Sequence, residues 1–231
     1  MMKDSGQHLF VYEKKFETFH LTTTTLCGNM KDEDKRNFFC RQHSIDSQKI
    51  VFADQIHGTV VAKVSSLNCG SFIESCDGLI TNDKNVILCI FTADCMPVFM
   101  ASRDYSVVAM IHAGWRGLAG GILENALICF KNDFGIMARD VFSYIGPHIG
   151  QCCYEVGKEV KDIFNSSEKN KNLSLAKESA AQLKELGIAR IYISRSCTCH
   201  ETDFFYSYRR EPSQDRMMSL ISAKKDNSKK M

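Results

Sequence analysis

Short apolar runs bounded by turn residues are the feature that most constrains the fold of this chain. They are rich in Val and Ile, and their length and flanking turn residues favour β-strands over helices. Because strands and helices alternate only in the middle of the chain, the pattern predicts an α+β fold with mixed β-sheets packed with helices, rather than a doubly wound parallel sheet. These predicted strands cover residues 49–54, 59–65, 79–81, 86–92, 107–112 and 141–145.

Segments with helical spacing and further apolar segments complete this pattern. They predict helices over residues 31–43, 122–130, 155–164 and 173–186, and strands over residues 10–12, 16–21, 188–194, 204–208 and 217–221. The 231 residues suit one hydrophobic core, and no linker or repeat interrupts them. We therefore predict a single domain over residues 1–222, followed by a disordered basic tail over residues 223–231.

Charge and hydropathy exclude several classes of partner. The net charge of +2 provides no general attraction to nucleic acid or to a membrane surface. The N-terminus lacks the apolar core of a signal peptide, and the longest apolar stretch, residues 85–100, is interrupted by Asp94 and Pro97 and is too short to span a bilayer. The eleven cysteines have no disulfide-framework spacing, which indicates a reducing compartment. We expect a cytoplasmic protein with no nucleic-acid or membrane partner, as a monomer or homodimer.

Three polar residues stand where predicted strands end. His57 follows the strand predicted over residues 49–54, and Cys95 follows the strand predicted over residues 86–92. His112 is the last residue of the strand predicted over residues 107–112. Since the ends of neighbouring strands converge in space, these side chains can meet. Two imidazoles and a thiolate suit zinc, and three protein ligands leave a fourth position open for chemistry. The alternative is that each residue is a packing or capping residue, because the spacing lacks a compact Cys-x-x-Cys signature.

A glycine-rich turn from Gly114 to Gly121 follows His112 and precedes a predicted helix. A strand, a glycine turn and a helix in succession expose backbone N–H groups to an anion, and Arg116 adds a planar fork of donors. The spacing matches neither the P-loop nor the dinucleotide fingerprint. The alternative is that these glycines only allow the helix and the strand to pack closely.

Other polar residues are weaker candidates. Asp94 could orient Cys95 or accept a proton, and His148 follows a Gly-Pro turn. Asp77 stands in an Asp-Gly pair that turn chemistry alone explains. Residues 152–153 (Cys-Cys) and 197–200 (Cys-Thr-Cys-His) resemble fragments of metal motifs. Because neither fragment has a second half nearby in the sequence, we expect both to be structural.

Six motifs in this order resemble the laccase-domain family, which is also called the multicopper polyphenol oxidase, purine nucleoside phosphorylase or peptidoglycan editing factor family. The resemblance implies a fold similar to Cys/His toxin deamidases, and zinc at the positions of His57, Cys95 and His112. It also implies phosphorolysis of adenosine, inosine, guanosine and methylthioadenosine, and deamination of adenosine. The motifs are Gln-Ile-His-Gly (55–58), Asp-Gly-Leu-Ile-Thr (77–81), Thr-Ala-Asp-Cys-Met-Pro-Val (92–98), His-Ala-Gly-Trp-Arg-Gly (112–117), Ile-Gly-Pro-His-Ile (145–149) and Phe-Tyr-Ser-Tyr-Arg-Arg (205–210).

The chain departs from the family pattern outside these motifs. Residues 24–28 replace a Thr-Arg followed by glycines, residues 37–38 replace an Asn-Arg with Arg36 close by, and residues 214–216 replace a Thr-Gly-Arg. These changes leave the metal triad intact and affect the expected contacts with the substrate. Substrate preference is therefore the least constrained prediction.

We predict a zinc-dependent enzyme for a small-molecule substrate, a purine nucleoside with phosphate, and copper is the alternative metal. A metal-free Cys-His hydrolase or amidase in peptidoglycan precursor editing, a copper-dependent polyphenol oxidase and a non-catalytic nucleoside-binding module are the alternative functions. The oxidase is disfavoured because reducing oxygen by four electrons needs several coppers. The predicted catalytic residues are His57, Cys95, His112 and Asp94, and the predicted substrate and anion contacts are Gly114, Arg116, Gly117, His148 and Arg36.

Overall fold

The computed structural model describes residues 9–164 and 171–224 and places twelve strands in two sheets of six. The strands are β1 (Phe10–Val11), β2 (His20–Thr23), β3 (Ile50–Ala53), β4 (Val61–Lys63), β5 (Phe72–Ile73), β6 (Gly78–Thr81), β7 (Ile87–Thr92), β8 (Met96–Ser102), β9 (Val108–Ala113), β10 (Val141–Ile145), β11 (Arg190–Ile193) and β12 (Met217–Ser222). The first sheet has the order β1-β2-β12-β7-β3-β5, and the second has the order β11-β10-β8-β9-β6-β4. The α-helices of the described residues are α1 (Glu33–Gln42), α2 (Trp115–Ala119), α3 (Ile122–Phe134), α4 (Lys158–Ile163) and α5 (Leu175–Glu185).

Both sheets mix parallel and antiparallel pairs. In the first sheet β3 runs parallel to β5 and β7, whereas β12 runs antiparallel to β2 and β7. In the second sheet β4 runs parallel to β6, whereas β8 and β9 are antiparallel to each other. Together with the helices that pack on these sheets, this pairing confirms the predicted α+β fold with mixed sheets.

The core has three apolar layers. Leu88, Phe99 and Val108 belong to the layer between the two sheets. Helices α3 and α5 cover the outer face of the second sheet, and α1 covers the outer face of the first. Because β8 and β9 are covered on both faces, every one of their residues is buried. This double burial explains why these strands are continuous apolar runs with little alternation.

Three connections between the sheets converge at one end of the molecule. Strands β3, β5 and β7 run in the same direction in the first sheet, and the chain leaves each of them to enter β4, β6 and β8 of the second. Residues 54–60, 74–77 and 93–95 therefore cross at the same end. Strand β9 is antiparallel to β6 and β8, so its last residues pair with their first residues: Ile111 pairs with Gly78, and His112 pairs with Pro97.

The strand predicted over residues 204–208 is wrong. This segment forms turns, in which the backbone N–H groups of Phe204 and Phe205 both donate to the carbonyl of Glu201. Local turns and side-chain contacts supply the hydrogen bonds of the backbone groups there. Phe205 is nevertheless buried, as the residues of an interior strand are. Aromatic composition alone therefore predicted the wrong local structure.

Other segments also differ from the prediction. The segment predicted as a strand over residues 16–21 enters a strand only at His20. In the apolar stretch over residues 85–100, β8 begins at Met96 although Pro97 had counted as an interruption. Pro97 is the second residue of the strand, where the missing N–H disrupts little of the ladder.

The single domain over residues 1–222 and the disordered tail over residues 223–231 stay predictions. Residues 225–231 lie outside the described residues. Ala223 is buried, and the N–H of Lys224 donates to the carbonyl of Tyr105. Chain packing therefore continues past Ser222, the end of β12.

Within the described ranges, none of the helices has both the length and the hydropathy that crossing a bilayer requires. The cytoplasmic location and the monomeric or homodimeric state stay predictions.

We expect Phe130→Ala to lower the free energy of unfolding by about 3–5 kcal/mol, because its fully buried ring leaves a cavity between α3 and the second sheet. Ile128 lies on the exposed face of the same helix, and Ile128→Ala should change that free energy by about 0.5 kcal/mol or less. Urea unfolding followed by circular dichroism measures both values. Equal effects of the two substitutions would contradict the assigned face of α3.

Candidate metal centre

His112 is held in one orientation by Asp77. His112 lies near the end of β9, is buried, and places Nδ1 2.7 Å from Oδ1 of Asp77, while its backbone N–H donates to the Asp77 carbonyl. Because an ionised carboxylate only accepts hydrogen bonds, Nδ1 carries the proton and donates it. The Nε2 atom of His112 is then available as a metal ligand, an arrangement typical of metal-binding histidines.

The same carboxylate shapes the loop that carries His57. It accepts hydrogen bonds from the backbone N–H groups of Ile56 (3.1 Å), His57 (2.9 Å) and Gly58 (2.6 Å). His57 has a φ of +61°, a left-handed conformation that these bonds help to hold. Burial raises the pKa of Asp77, but the bonds from His112 and from the backbone outweigh burial and hold that pKa below its usual value. The carboxylate is therefore a charged anchor between two predicted metal ligands.

Cys95 is placed by the connection between β7 and β8, next to Asp94. Asp94 has a φ of +83° and is buried. Its carboxylate accepts bonds from the hydroxyl of Thr198 and the backbone N–H of Arg209, both at 2.7 Å, and its carbonyl accepts the N–H of Ile149. Both carboxylate oxygens thus hold the neighbouring loops. This geometry favours a positioning role for Asp94 over the proton transfer predicted from sequence.

The structure brings His57, Cys95 and His112 together. Their ligand atoms all lie within 4.8 Å of one another, and Nε2 of His57 is 4.0 Å from Sγ of Cys95. In tetrahedral zinc sites, bonds of about 2.0–2.3 Å place ligand atoms roughly 3.5 Å apart, so small side-chain rotations would close this group around an ion. His57 is exposed and His112 is buried, which leaves the group open on the side of His57. The donor set fits zinc, and it also suits copper.

In the absence of an ion, these side chains form a thiolate–imidazolium pair. Burial raises the pKa of Cys95, but the charge of His112 and hydrogen bonds from both histidines outweigh it and lower that pKa to about 6. Burial lowers the pKa of His112, but the Cys95 thiolate and Asp77 outweigh burial and raise it to about 9. The group can therefore hold a cation or present a thiolate nucleophile at neutral pH.

Gly114 and Gly117 make room for this group. A Cβ on Gly114 would lie 3.1 Å from Sγ of Cys95 and 3.2 Å from Cδ2 of His57. A Cβ on Gly117 would lie 2.9 Å from the carbonyl of Gly58. Close approach of the backbone is thus a sufficient reason for both glycines. Their role in anion binding stays a prediction.

The remaining predicted contacts are spread over the surroundings. Arg116 is exposed on α2, with its guanidinium 4.3 Å from the ring centre of Trp115. His148 is buried, and its Nδ1 pairs with the carbonyl of Gly146. Arg36 is buried behind the site, where it donates to the carbonyls of Met30 and Lys31 and packs on Phe52 and Phe91. None of these three residues is among those that line the cavity described next.

A cavity of about 550 Å³ opens over the three candidate ligands. This volume lies in the range of small-molecule sites. Its other lining residues include aromatic rings and cationic side chains, of which residues 208–209 belong to the motif over residues 205–210. These are Phe72, Phe91, Tyr154, Tyr208, Lys31, Arg209 and Arg216.

Asp77 is the main residue of the candidate site that sequence reasoning set aside, as a turn residue. An Asp-Gly pair is so common in turns that the motif alone carries no sign of a site. A possible signal was the repetition of one pattern, since His57, Asp77 and Cys95 each follow a predicted or short strand and precede another.

We expect Asp77→Asn to lower the free energy of unfolding by about 2–3 kcal/mol, because an amide NH₂ would face donors that now meet a carboxylate. Zinc affinity should fall roughly 10- to 100-fold, because the orientation of His112 is lost. Asp133→Asn, at an exposed carboxylate on α3, is the matched control. Urea unfolding and zinc titration measure both effects. A variant that unfolds with the wild-type midpoint would contradict the anchoring role.

We expect metal-stripped protein to alkylate at Cys95 with a midpoint at a pH of about 6, because the thiolate is the reactive form and exists above that pKa. Cys40 and Cys76, whose pKa values burial raises to about 11, should stay unmodified at neutral pH. His112→Asn removes the positive charge and should move the midpoint upward, whereas His200→Ala should not. Iodoacetamide labelling read by peptide mass spectrometry measures this. A midpoint near the ordinary value of 9.0 would contradict the ion pair.

Comparison with known proteins gives a consistent family. Residues 10–224 match the family model described as multi-copper polyphenol oxidoreductase laccase. The purine nucleoside phosphorylase YlmD of Bacillus subtilis is 33% identical over 93% of this chain and 85% of its own length. The purine nucleoside phosphorylase YfiH of Shigella flexneri is 30% identical over 84% of this chain and 83% of its own length.

The fold is shared with a solved structure of this group. The crystal structure of YlmD from Geobacillus stearothermophilus superposes with a TM-score of 0.89 at 25% identity, and it covers 97% of this chain and 99% of that chain. The two packed mixed sheets are thus the fold of these relatives.

Proposed function

Because this chain belongs to the family described as multi-copper polyphenol oxidoreductase laccase, whose relatives include proteins named purine nucleoside phosphorylase, we propose that it is a metal-dependent enzyme acting on purine nucleosides. The observation that carries the proposal is the convergence of His57, Cys95 and His112 in the lining of the cavity. A cation-binding group that is open to a cavity of small-molecule size is typical of a catalytic site rather than of a structural one.

The cavity lining suits a purine nucleoside and phosphate. Phe72, Phe91 and Tyr154 offer apolar and aromatic surface for a purine ring. Lys31 and Arg216 contribute positive charge that favours phosphate. Adenosine, inosine, guanosine and methylthioadenosine share the purine ring and the glycosidic bond, so one such cavity could accept all four.

Two reactions are proposed. In phosphorolysis, a phosphate oxygen bonds to C1′ of the sugar, the glycosidic C–N bond breaks, and the base leaves with the electron pair and takes up a proton. In the deamination of adenosine, a water oxygen bonds to C6 of the ring, and the exocyclic nitrogen leaves as ammonia. In both reactions negative charge develops on the purine ring and has to be stabilised there.

His57, Cys95 and His112 would hold zinc, which when bound lowers the pKa of a water and stabilises developing negative charge. The other residues act by position. Asp77 keeps the proton of His112 on Nδ1. Gly114 leaves the space between Cys95 and His57 empty of a side chain.

The family description mentions several coppers, but the described residues favour a different chemistry. Four-electron reduction of oxygen needs several coppers close together. In the described part of the chain, two groups of side chains have the spacing of metal ligands. One is this triad, and the other consists of cysteines alone. One two-histidine, one-cysteine group alone supports a mononuclear site.

The lowered pKa of Cys95 favours one alternative function, a metal-free Cys-His hydrolase or amidase. In that function the Cys95 thiolate attacks a carbonyl carbon, the C–N bond breaks, and the leaving nitrogen takes up a proton from an imidazolium. Water then hydrolyses the thioester and releases the carboxylic acid and the Cys95 thiol. Peptidoglycan precursors would be the substrate class. This alternative needs no bound ion, which makes it separable from the metal-dependent function.

We expect wild-type protein incubated with adenosine and phosphate to form adenine and ribose 1-phosphate, or inosine and ammonia, read by chromatography. His57→Ala and Cys95→Ser should lower the rate by about 100-fold or more, beyond the roughly 10- to 100-fold typical of residues around a metal site. Cys129→Ser, a substitution on α3 outside the cavity, is the matched control. Absence of product above the His57→Ala background would overturn the nucleoside function.

Removal of the metal separates the two functions. Stripping with a chelator should abolish nucleoside turnover, and zinc should restore it. The contrary result is that stripped protein keeps its full rate of turnover and that alkylation of Cys95 then abolishes that rate. This result would show that a thiol nucleophile acts in the reaction and that the metal-dependent proposal is wrong.

A further inference from the structure

A second group of metal-type side chains lies outside the cavity. Cys152, Cys153 and Cys197 place their sulfur atoms within 4.8 Å of one another, and Sγ of Cys152 is 3.5 Å from Sγ of Cys197. The Cys199 thiol is a hydrogen-bond neighbour of Cys153. The Cys-Cys and Cys-Thr-Cys fragments were expected from sequence to be merely structural because each lacked a second half. In the folded chain the two fragments lie next to each other, so each supplies the ligands that the other lacked for a metal site.

The backbone holds the two fragments face to face. His148 and Cys197 form an isolated parallel bridge, in which the N–H of Thr198 donates to the carbonyl of His148. A turn then brings the N–H of Cys153 back to the carbonyl of Gly150. These bonds are independent of the thiols, so the group is positioned before any ion or covalent bond joins it.

Gly150 gives this group the features of a built site. Its backbone N–H donates to Sγ of Cys197 at 3.1 Å, a bond that favours the thiolate form of a ligand. A Cβ on Gly150 would lie 3.2 Å from the sulfur atoms of both Cys152 and Cys197. The absence of a side chain at Gly150 therefore allows the two sulfurs to approach each other, as Gly114 does for Cys95 and His57.

We propose that Cys152, Cys153 and Cys197 form a second metal site, which binds a thiophilic divalent cation, Zn²⁺. Tetrahedral zinc with Zn–S bonds of about 2.3 Å places its sulfur ligands roughly 3.8 Å apart. This separation lies between the 3.5 Å that joins Cys152 and Cys197 and the 4.8 Å within which all three sulfur atoms lie. Cys199 lies outside the group whose sulfur atoms are all within 4.8 Å of one another, so its side chain would have to move to supply the fourth thiolate that is typical of structural zinc. The exposed Cys152 provides the path of entry.

This site would brace the cavity rather than act in it. Thr198, between two of the cysteines, donates to the carboxylate of Asp94. The guanidinium of Arg209 donates to the carbonyls of Cys153 and Glu155. An ion that joins the two cysteine fragments would therefore fix the loops that hold Asp94 beside Cys95. The role assigned is structural, and it stands whether or not the nucleoside function is correct.

Zinc binding can be measured with the cavity site removed. We expect the Cys95→Ala protein to bind one zinc per chain at the cysteine group. A triple variant that adds Cys152→Ser and Cys197→Ser to Cys95→Ala should bind zinc at least 10-fold more weakly. Cys95→Ala with Cys69→Ser and Cys129→Ser is the matched control, since it removes two thiols that lie outside the cysteine group. Circular dichroism checks that all three proteins are folded.

Cobalt gives a signature that imidazole ligands do not produce. Co²⁺ added to the Cys95→Ala protein should show thiolate-to-metal charge-transfer absorption, which the Cys152→Ser, Cys197→Ser variant should lose and the control should keep. Zinc should also raise the thermal midpoint of the Cys95→Ala protein but not that of the variant. Equal zinc affinity and equal cobalt absorption in the two proteins would overturn the proposal. A Cys152–Cys197 disulfide in protein purified without reductant, with no metal binding after reduction, would overturn it as well.

Discussion

The carboxylate of Asp77 is the interaction on which the candidate site depends. It has no exposed surface, yet it remains charged because His112 and three consecutive backbone N–H groups of the loop 56–58 donate to it. Burying a carboxylate costs free energy unless hydrogen-bond donors surround it. Loss of any one donor therefore destabilises the charged carboxylate and, with it, the hydrogen bonds from the other donors. Asp77 thus couples the end of β9 to the loop that carries His57, and the two imidazoles are fixed by one charge.

The charges of Cys95 and His112 explain why the site is compatible with two functions, a metal-dependent enzyme and a metal-free hydrolase. Cys95 and His112 stabilise each other as thiolate and imidazolium, so the pair by itself resembles an activated cysteine nucleophile. A metal ion would replace the proton on Nε2 of His112 and use the thiolate as a ligand, so binding would release a proton. The geometry is therefore pre-organised for either a proton or a cation between the same two atoms. Which of them occupies that place distinguishes the metal-dependent enzyme from the hydrolase.

The cavity site and the cysteine group share a principle of construction. In each of them a glycine, Gly114 or Gly150, leaves room for side chains to converge. Asp94 connects them, because it precedes Cys95 in the chain and accepts a hydrogen bond from Thr198 in the cysteine-containing loop. Loops that cross between sheets have few ladder bonds of their own, so side-chain anchors such as these decide their shape.

Much of the fold follows from the sequence alone. Apolar runs without alternation specify strands buried on both faces, and β9 and β10 form where those runs lie. The placing of His57, Cys95 and His112 at strand ends likewise predicts that they meet. The tertiary structure alone decided the role of Asp77 and the pairing of residues 152–153 with Cys197. Periodicity and turn preference are local properties, whereas these contacts form only when the chain crosses from one sheet to the other and brings distant loops to the same end.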